Sequence, residues 1–281
     1  MSVLSCPHCY APLQSSNSGK SLECVNRHLF DIAKQGYVNL LRNQDKKSKN
    51  PGDTADMVNA RTVFLDQGYY QGFAEHFSLL CRDLIGQNQD STYLDVACGE
   101  GYYTEKLLDC LSANAGGNLN TFGLDISTPA IKAACKRNKQ IQWIVGSAVH
   151  LPFQKNSIDL MTWLFCRLEL SHAEQFLKPG AFLVIATTGP EHLLEMRSVL
   201  YEELRAAKSP ELHLPDSMMH VDQIRFKNDI HIDSAEDRQR LLQMTPHSWK
   251  SLAERKTAYI EHGPGQTQLD IQIHVLQKKT G

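Results

Sequence analysis

The chain has 281 residues, 42% apolar and 21% charged, with 29 Lys/Arg against 31 Asp/Glu and a formal net charge of −2. These are the proportions of a soluble globular protein and exclude a disordered or strongly polyionic chain. No run approaches the ~20 apolar residues of a bilayer-spanning helix, so no membrane association is expected.

The opening MSVLSCPHCY lacks the basic-then-apolar order of a signal peptide. Of eight cysteines, Cys81, Cys98, Cys110, Cys135 and Cys166 fall in expected core elements. That scatter suits a reducing cytoplasm better than a disulfide framework. Residues 1–50 carry seven Lys/Arg against three acids. A basic front on a more acidic body suggests a polyanion partner.

The front holds Cys6-x2-Cys9 and Cys24-x3-His28, separated by a polar 14-residue spacer. Thiolate and imidazole are preferred zinc ligands, and a structural site takes four of them in a tetrahedron. Pro7 favours the tight turn that lets Cys6 and Cys9 share one ion. A segment this short cannot bury enough apolar surface to fold alone, so the metal supplies stability. Cys6, Cys9, Cys24 and His28 are the expected ligands, and His8, inside the first turn, is expected to point elsewhere. The basic run Arg42, Lys46, Lys47 and Lys49 follows and could track a phosphate backbone.

Next, Tyr93–Ala97 reads as a buried strand, Cys98-Gly99-Glu100-Gly101 as a glycine loop and Tyr102 onward as a helix. This is the strand–loop–helix start of a doubly wound α/β domain. A second strand, 121–126, ends in Asp125, placed to accept hydrogen bonds from ribose hydroxyls. The third glycine of the dinucleotide fingerprint is absent. A further strand-end acid, Asp95, disfavours a diphosphate but suits a cationic amino-acid group. These features favour S-adenosylmethionine over NAD. A helix (128–138), a strand (141–148), a loop leading into a strand (150–165), a helix (171–180) and a strand (181–188) follow. A long periodic helix is expected over 189–207 and a late strand over 268–279. Strands alternating with helices imply a mostly parallel sheet with ligand at its carboxyl edge.

The clip, together with FDIAKQGYVNLL (30–41), KNPGDTADMVNAR (49–61), FLDQGYYQ (64–71), LDVACGEGYYT (94–104), FGLDIS (122–127), TGPEHLLEM (188–196) and LLQMTPHSW (241–249), resembles the 23S ribosomal RNA (guanine-N1)-methyltransferases over nearly the whole chain. The resemblance implies a class I, S-adenosylmethionine-dependent fold with a seven-stranded sheet behind a zinc-binding domain. It places that domain at 1–40, a basic linker and helix at 41–75 and the methyltransferase domain at 76–281. It also implies zinc on Cys6, Cys9, Cys24 and His28, cofactor contacts from Tyr70, Gly99, Glu100 and His192, a guanine in a 23S rRNA hairpin as substrate, and a homodimer. Gly101 belongs to the same loop. After the fourth strand the family usually has an aromatic-x-Pro stretch. Here the chain reads Trp163-Leu164-Phe165-Cys166-Arg167.

Methyl transfer to guanine N1 requires an unstacked base, in-line approach and loss of the N1 proton, and gains most from positioning. Phe165 is the candidate ring for stacking the base. Arg167 is the candidate for holding a phosphate or the anionic O6, and Glu169 and His192 lie within plausible range for proton removal. Two rival readings share the cofactor residues. One is a small-molecule methyltransferase, which leaves the clip unexplained. The other is an RNA-binding protein that keeps the cofactor without transferring its methyl group.

Overall fold

The computed structural model describes residues 3–46, 48–86, 90–112, 119–166, 170–204, 212 and 214–280. Strands β1 (Gln14–Ser15), β2 (Ser21–Glu23) and β3 (Leu29–Asp31) form an antiparallel three-stranded ribbon, followed by the short β4 (Val38–Asn39). Helices α1 (Ala55–Asp66) and α2 (Gln71–Ile85) lead into the alternating body. The body runs β5 (Ser91–Val96), α3 (Tyr102–Ser112), β6 (Leu119–Asp125), α4 (Thr128–Arg137), β7 (Gln142–Val145), β8 (Ile158–Leu164), β9 (Leu177–Thr188) and α5 (Leu194–Leu200). It closes with β10 (Met218–His231), α6 (Ala235–Gln243), α7 (His247–Lys250), α8 (Ala253–His262) and β11 (Gln266–Lys278).

The second sheet has eight strands in the order β10-β11-β9-β8-β5-β6-β7-β4. Pairing is parallel from β9 through β4, while β11 and β10 run antiparallel. The expected seven strands are present, and β4 adds an eighth by pairing with β7 through Val38↔Ile144 and Asn39↔Val145. All six residues of β5 are buried, as a central strand covered on both faces requires.

One face of the sheet packs Tyr93, Leu160, Val184 and Ile271 against Phe64, Phe73, Phe77, Leu107, Met196 and Tyr259 from the helices. Full burial of each such phenylalanine stabilises by ~1.5–3 kcal/mol relative to exposure. The opposite face packs Leu94, Val96, Met161 and Trp163 with Leu4, Cys6, Leu13 and Cys24 of the ribbon. Backbone bonds reinforce this seam. The Ser5 amide donates to the Pro152 carbonyl at 2.9 Å and the Gln154 amide to the Val3 carbonyl at 2.8 Å. The Ser5 hydroxyl donates to the Phe153 carbonyl at 3.1 Å.

Three sequence expectations change. Residues 171–180 do not form an α-helix. A 3-10 segment spans Leu170–Gln175, and β9 begins at Leu177. Lys178-Pro179-Gly180 therefore lies within β9, where the register with β8 shifts between Ile158 and Leu160. Proline cannot donate to a ladder and Gly180 has φ +82°, so the irregularity accommodates both. The helix expected over 189–207 shortens to α5, because 189–193 is held as a turn and Tyr201 is extended; residues 205–207 of it lie outside the described residues. Arg42 does not join an exposed basic arm. Its guanidinium grips Asp45 through Nε at 2.8 Å and Nη2 at 2.9 Å and is 11% exposed.

Gly123 in β6 lies flat under Trp143. A Cβ there would overlap the indole, whose Nε1 is fixed by donating to the Asn138 carbonyl at 2.8 Å. Gly123→Ala is therefore expected to cost about 1–3 kcal/mol by overpacking, read as a lower denaturation midpoint. An unchanged midpoint would mean that the indole yields freely.

Candidate metal centre and cofactor site

Two tight turns build the clip. The Tyr10 amide donates to the Cys6 carbonyl and the Arg27 amide to the Cys24 carbonyl, both at 2.8 Å. Tyr10 (φ +62°) and Arg27 (φ +61°) are left-handed, which lets each turn aim its ligands at one point. The ligand atoms of Cys6, Cys9, Cys24 and His28 all lie within 4.8 Å of one another. Cys9 Sγ to Cys24 Sγ is 3.7 Å, and His28 Nδ1 is 3.5 Å from Cys6 Sγ and 3.4 Å from Cys24 Sγ. Zinc bonds of ordinary length in a tetrahedron require about 3.8 Å between sulfurs and about 3.5 Å from sulfur to nitrogen. The donor set and its spacing fit zinc. His8 is not part of this cluster: its ring stacks on Phe30 at 5.8 Å with an 18° interplanar angle and lies 5.2 Å from the His28 ring. Burial pushes the Cys6 thiol up to about 11, whereas hydrogen bonding, first from the Asn26 side chain, holds Cys9 down to about 6.

At the carboxyl ends of β5 and β6 the glycine loop meets Asp125. The Gly99 amide donates to Asp125 Oδ2 at 3.0 Å and the Ser127 amide to Oδ1 at 2.7 Å. Burial raises the Asp125 carboxyl, and these two amides oppose the rise. Gly99 has φ +58° and Gly101 φ +83°, and a Cβ on Gly101 would stand 2.5 Å from Trp143. Glu100 is 2% exposed. Below the loop, Asp95 accepts from Thr104 Oγ1 at 2.6 Å and Thr162 Oγ1 at 2.9 Å. Burial pushes Asp95 up to about 7. A cleft of about 730 Å³ opens between α1, α3 and α4. Of the glycine loop only Glu100 lines it, so it flanks the strand ends rather than containing them.

Aromatic rings form the adjoining wall. Phe165 adopts φ +52° and is 37% exposed. It lies 5.5 Å from Phe73, 5.8 Å from Tyr103 and 6.4 Å from Tyr70, ring to ring. A bulky residue in the left-handed region is a backbone outlier of the kind found at functional sites. The tandem tyrosines separate in role. Tyr69 stacks on Phe64 at 4.3 Å and donates to Asp237 Oδ2 at 3.1 Å, whereas Tyr70 faces His192.

His192 is placed by Asp270. The Asp270 amide donates to His192 Nδ1 at 3.3 Å, so Nε2 carries the proton and points at the Tyr70 hydroxyl, 3.4 Å away. Burial holds His192 down to about 4, so the ring is neutral at physiological pH. The Asp270 carboxylate is fully buried. It accepts from the Glu191 amide at 2.8 Å and from Arg225 Nε and Nη2 at 2.8 and 2.9 Å. The structure thus brings Tyr70, Asp95, Gly99, Glu100, Gly101, Asp125, Phe165 and His192 to one edge of the sheet. Arg167 and Glu169 lie outside the described residues. Arg61, Asp53 and Asp270 were not singled out by sequence reasoning. Arg61 closes the KNPGDTADMVNAR stretch, whose pattern carries no chemical signature of its own.

A zinc-ribbon family profile described as "RlmA, N-terminal" matches residues 4–49, and a methyltransferase-domain profile matches residues 94–180. A 23S rRNA (guanine(748)-N(1))-methyltransferase of Streptomyces fradiae is 30% identical over 96% of this chain and 94% of its own length. This chain belongs to the 23S rRNA (guanine-N1)-methyltransferase family. Other members are 25% identical over 99% of this chain and 98% of their own (Bacillus subtilis), and 28% identical over 69% and 68% (Micromonospora griseorubida). Both of those are named as putative 23S rRNA (guanine-N(1)-)-methyltransferases. No helix among the described residues is long and apolar enough to cross a membrane.

Two outcomes follow for this family member. Cys24→Ser should lose zinc, measured by metal analysis, and lower the unfolding midpoint, because Cys24 and Cys6 belong to the core beneath β5. Asp95 has a folded pKa of about 7 against an ordinary value of 3.8. The native state therefore binds the extra proton, and this group's contribution to stability falls as pH rises between those values. Denaturation of Asp95→Asn beside wild type should show the variant gaining relative stability as pH climbs through that window. A pH-independent difference would contradict it.

Proposed function

We propose that the protein transfers a methyl group from S-adenosylmethionine to N1 of a guanine in a hairpin of 23S rRNA. S-adenosylmethionine is the methyl donor, and zinc is structural. The full-length relationship to 23S rRNA (guanine-N1)-methyltransferases carries this reading. The shared core of zinc ribbon and sheet supports it, since a small-molecule methyltransferase has no need of the clip. Asp125 and the glycine loop bind the adenosine end, with Tyr70, Glu100 and His192 lining the cofactor. The bound donor supplies an electrophilic methyl group. The chain's own residues hold the base in line with it and exclude water.

The guanine must leave its stack to reach that edge. Phe165, already packed against Tyr70, Phe73 and Tyr103, offers the exposed face on which it rests. His192 is not a base for the N1 proton. One ring nitrogen accepts the Asp270 amide and the other carries its proton toward Tyr70. Its role is to fix Tyr70. Arg167 holds a phosphate or the O6 of the attacking guanine, which turns anionic as N1 gives its proton to solvent; S-adenosylhomocysteine is the leaving group. The enzyme works in the cytoplasm as a homodimer, a state that sedimentation of the zinc-loaded protein tests.

Mass-spectrometric mapping of rRNA from a deletion strain should show one guanine without its N1 methyl group, restored by the wild-type gene. Unaltered rRNA would refute the function. Phe165→Ala should lower turnover roughly ten- to hundred-fold, the worth of one base-stacking contact, with cofactor affinity nearly unchanged. Arg167→Ala should likewise lower turnover more than cofactor affinity. RNA binding should weaken steeply with added salt, because phosphate contacts release counterions.

A further inference from the structure

Arg61 reaches the glycine loop from α1. Its Nη1 pairs with Asp53 Oδ2 at 2.6 Å, and Nη2 donates to the Met244 carbonyl at 3.4 Å. Nη1 also lies 3.6 Å from where a Cβ on Gly99 would stand. The side chain is 23% exposed. A guanidinium has five N–H donors, and these partners leave several uncommitted among the described residues. Burial works against the charge, but Asp53, Glu100 and Asp125 together outweigh it and raise the Arg61 pKa.

The loop is thus lined by more carboxylates than cations. Such a pocket suits the sulfonium and ammonium of S-adenosylmethionine, and Asp125 suits its ribose. The ligand's one anion, the methionine carboxylate, would be repelled there unless a cation met it. Arg137, the other cation acting on Glu100, is already tied to Asp66 at 2.9 Å and Glu105 at 3.4 Å. Arg61 alone of the two stands over Gly99 with donors to spare. A planar fork is the donor geometry that matches a carboxylate.

We propose that Arg61 binds the methionine carboxylate of S-adenosylmethionine through the N–H donors that its pairing with Asp53 leaves over. This rests on the reading of the glycine-loop edge as the cofactor site. The alternative role for Arg61 is a latch, holding the turn that carries Asp53 over the loop and touching no ligand.

Titration calorimetry of the full-length, zinc-loaded protein separates these. The ligands are S-adenosylmethionine and its decarboxylated form, which lacks only the carboxylate. Wild type should bind the intact cofactor about ten- to a hundred-fold more tightly, the worth of a charge-assisted hydrogen-bonded pair. Arg61→Gln should erase that preference, bringing the two ligands within roughly threefold. Asp53→Asn should retain it, since it frees the guanidinium. Equal weakening of both ligands by Arg61→Gln, with the preference intact, would overturn the proposal in favour of the latch. Should Arg61→Gln fail to fold, as judged by circular dichroism, the wild-type comparison still decides, because equal affinity for the two ligands overturns the proposal. Binding of neither ligand by wild type would instead refute the cofactor site itself, and the assignment of Arg61 with it.

Discussion

The Asp125 carboxylate accepts one amide from the glycine loop and one from the start of α4, and the geometry of the site follows from that pair of bonds. A carboxylate at a buried strand end is costly unless its lone pairs are filled. The backbone amides that fill them fix the positions of Gly99 and Ser127. Ser127 in turn caps α4 by accepting the Ala130 amide, and its hydroxyl donates to the Asp53 carbonyl at 2.8 Å. One acid therefore sets the floor of the site, the start of a helix and the seat of the turn that roofs it.

The zinc clip extends the same body. Cys6 and Cys24 pack in one cluster with Leu94 and Val96, while β4 extends the parallel sheet beyond β7. The 42–45 turn docks beside the 147–150 turn, with His150 Nδ1 3.0 Å from Asp45 Oδ1. Cys6 and Cys24 pack on β5, the strand that leads into the glycine loop, so the ribbon is seated against the site instead of hanging on a linker. For a substrate as large as ribosomal RNA, a second surface fixed in this way constrains how the RNA can lie relative to the reactive edge.

Much of this was legible in the chain. The clip could be read because thiolate and imidazole spacing carries metal chemistry locally. The strand–glycine loop–helix and the place of Asp125 could be read because a tight strand-to-helix turn demands glycine and the strand pattern sets where β6 ends. Tyr70 and His192 entered only through the family resemblance, since nothing in FLDQGYYQ or TGPEHLLEM declares a ligand. What escaped was non-local. Asp270 lies 78 residues from His192 in sequence, yet its amide sets that histidine's tautomer. Arg61 acquires its surroundings only when α1 packs against α4 and α6, beside the glycine loop. The helix expected at 171–180 failed because Lys178-Pro179-Gly180 marks an irregular strand start as readily as a helix end, and the tertiary packing of Leu177 decided for the strand.

The left-handed backbone of Phe165 has a consequence for how this protein can change. A non-glycine residue in that region costs about 1–2 kcal/mol. Glycine there would relax the chain, yet it would also remove the ring that meets Tyr70, Phe73 and Tyr103. Selection for thermal robustness and selection for the aromatic wall that this ring completes therefore pull in opposite directions at this one position. A more heat-resistant version of the enzyme must draw its stability from elsewhere in the chain.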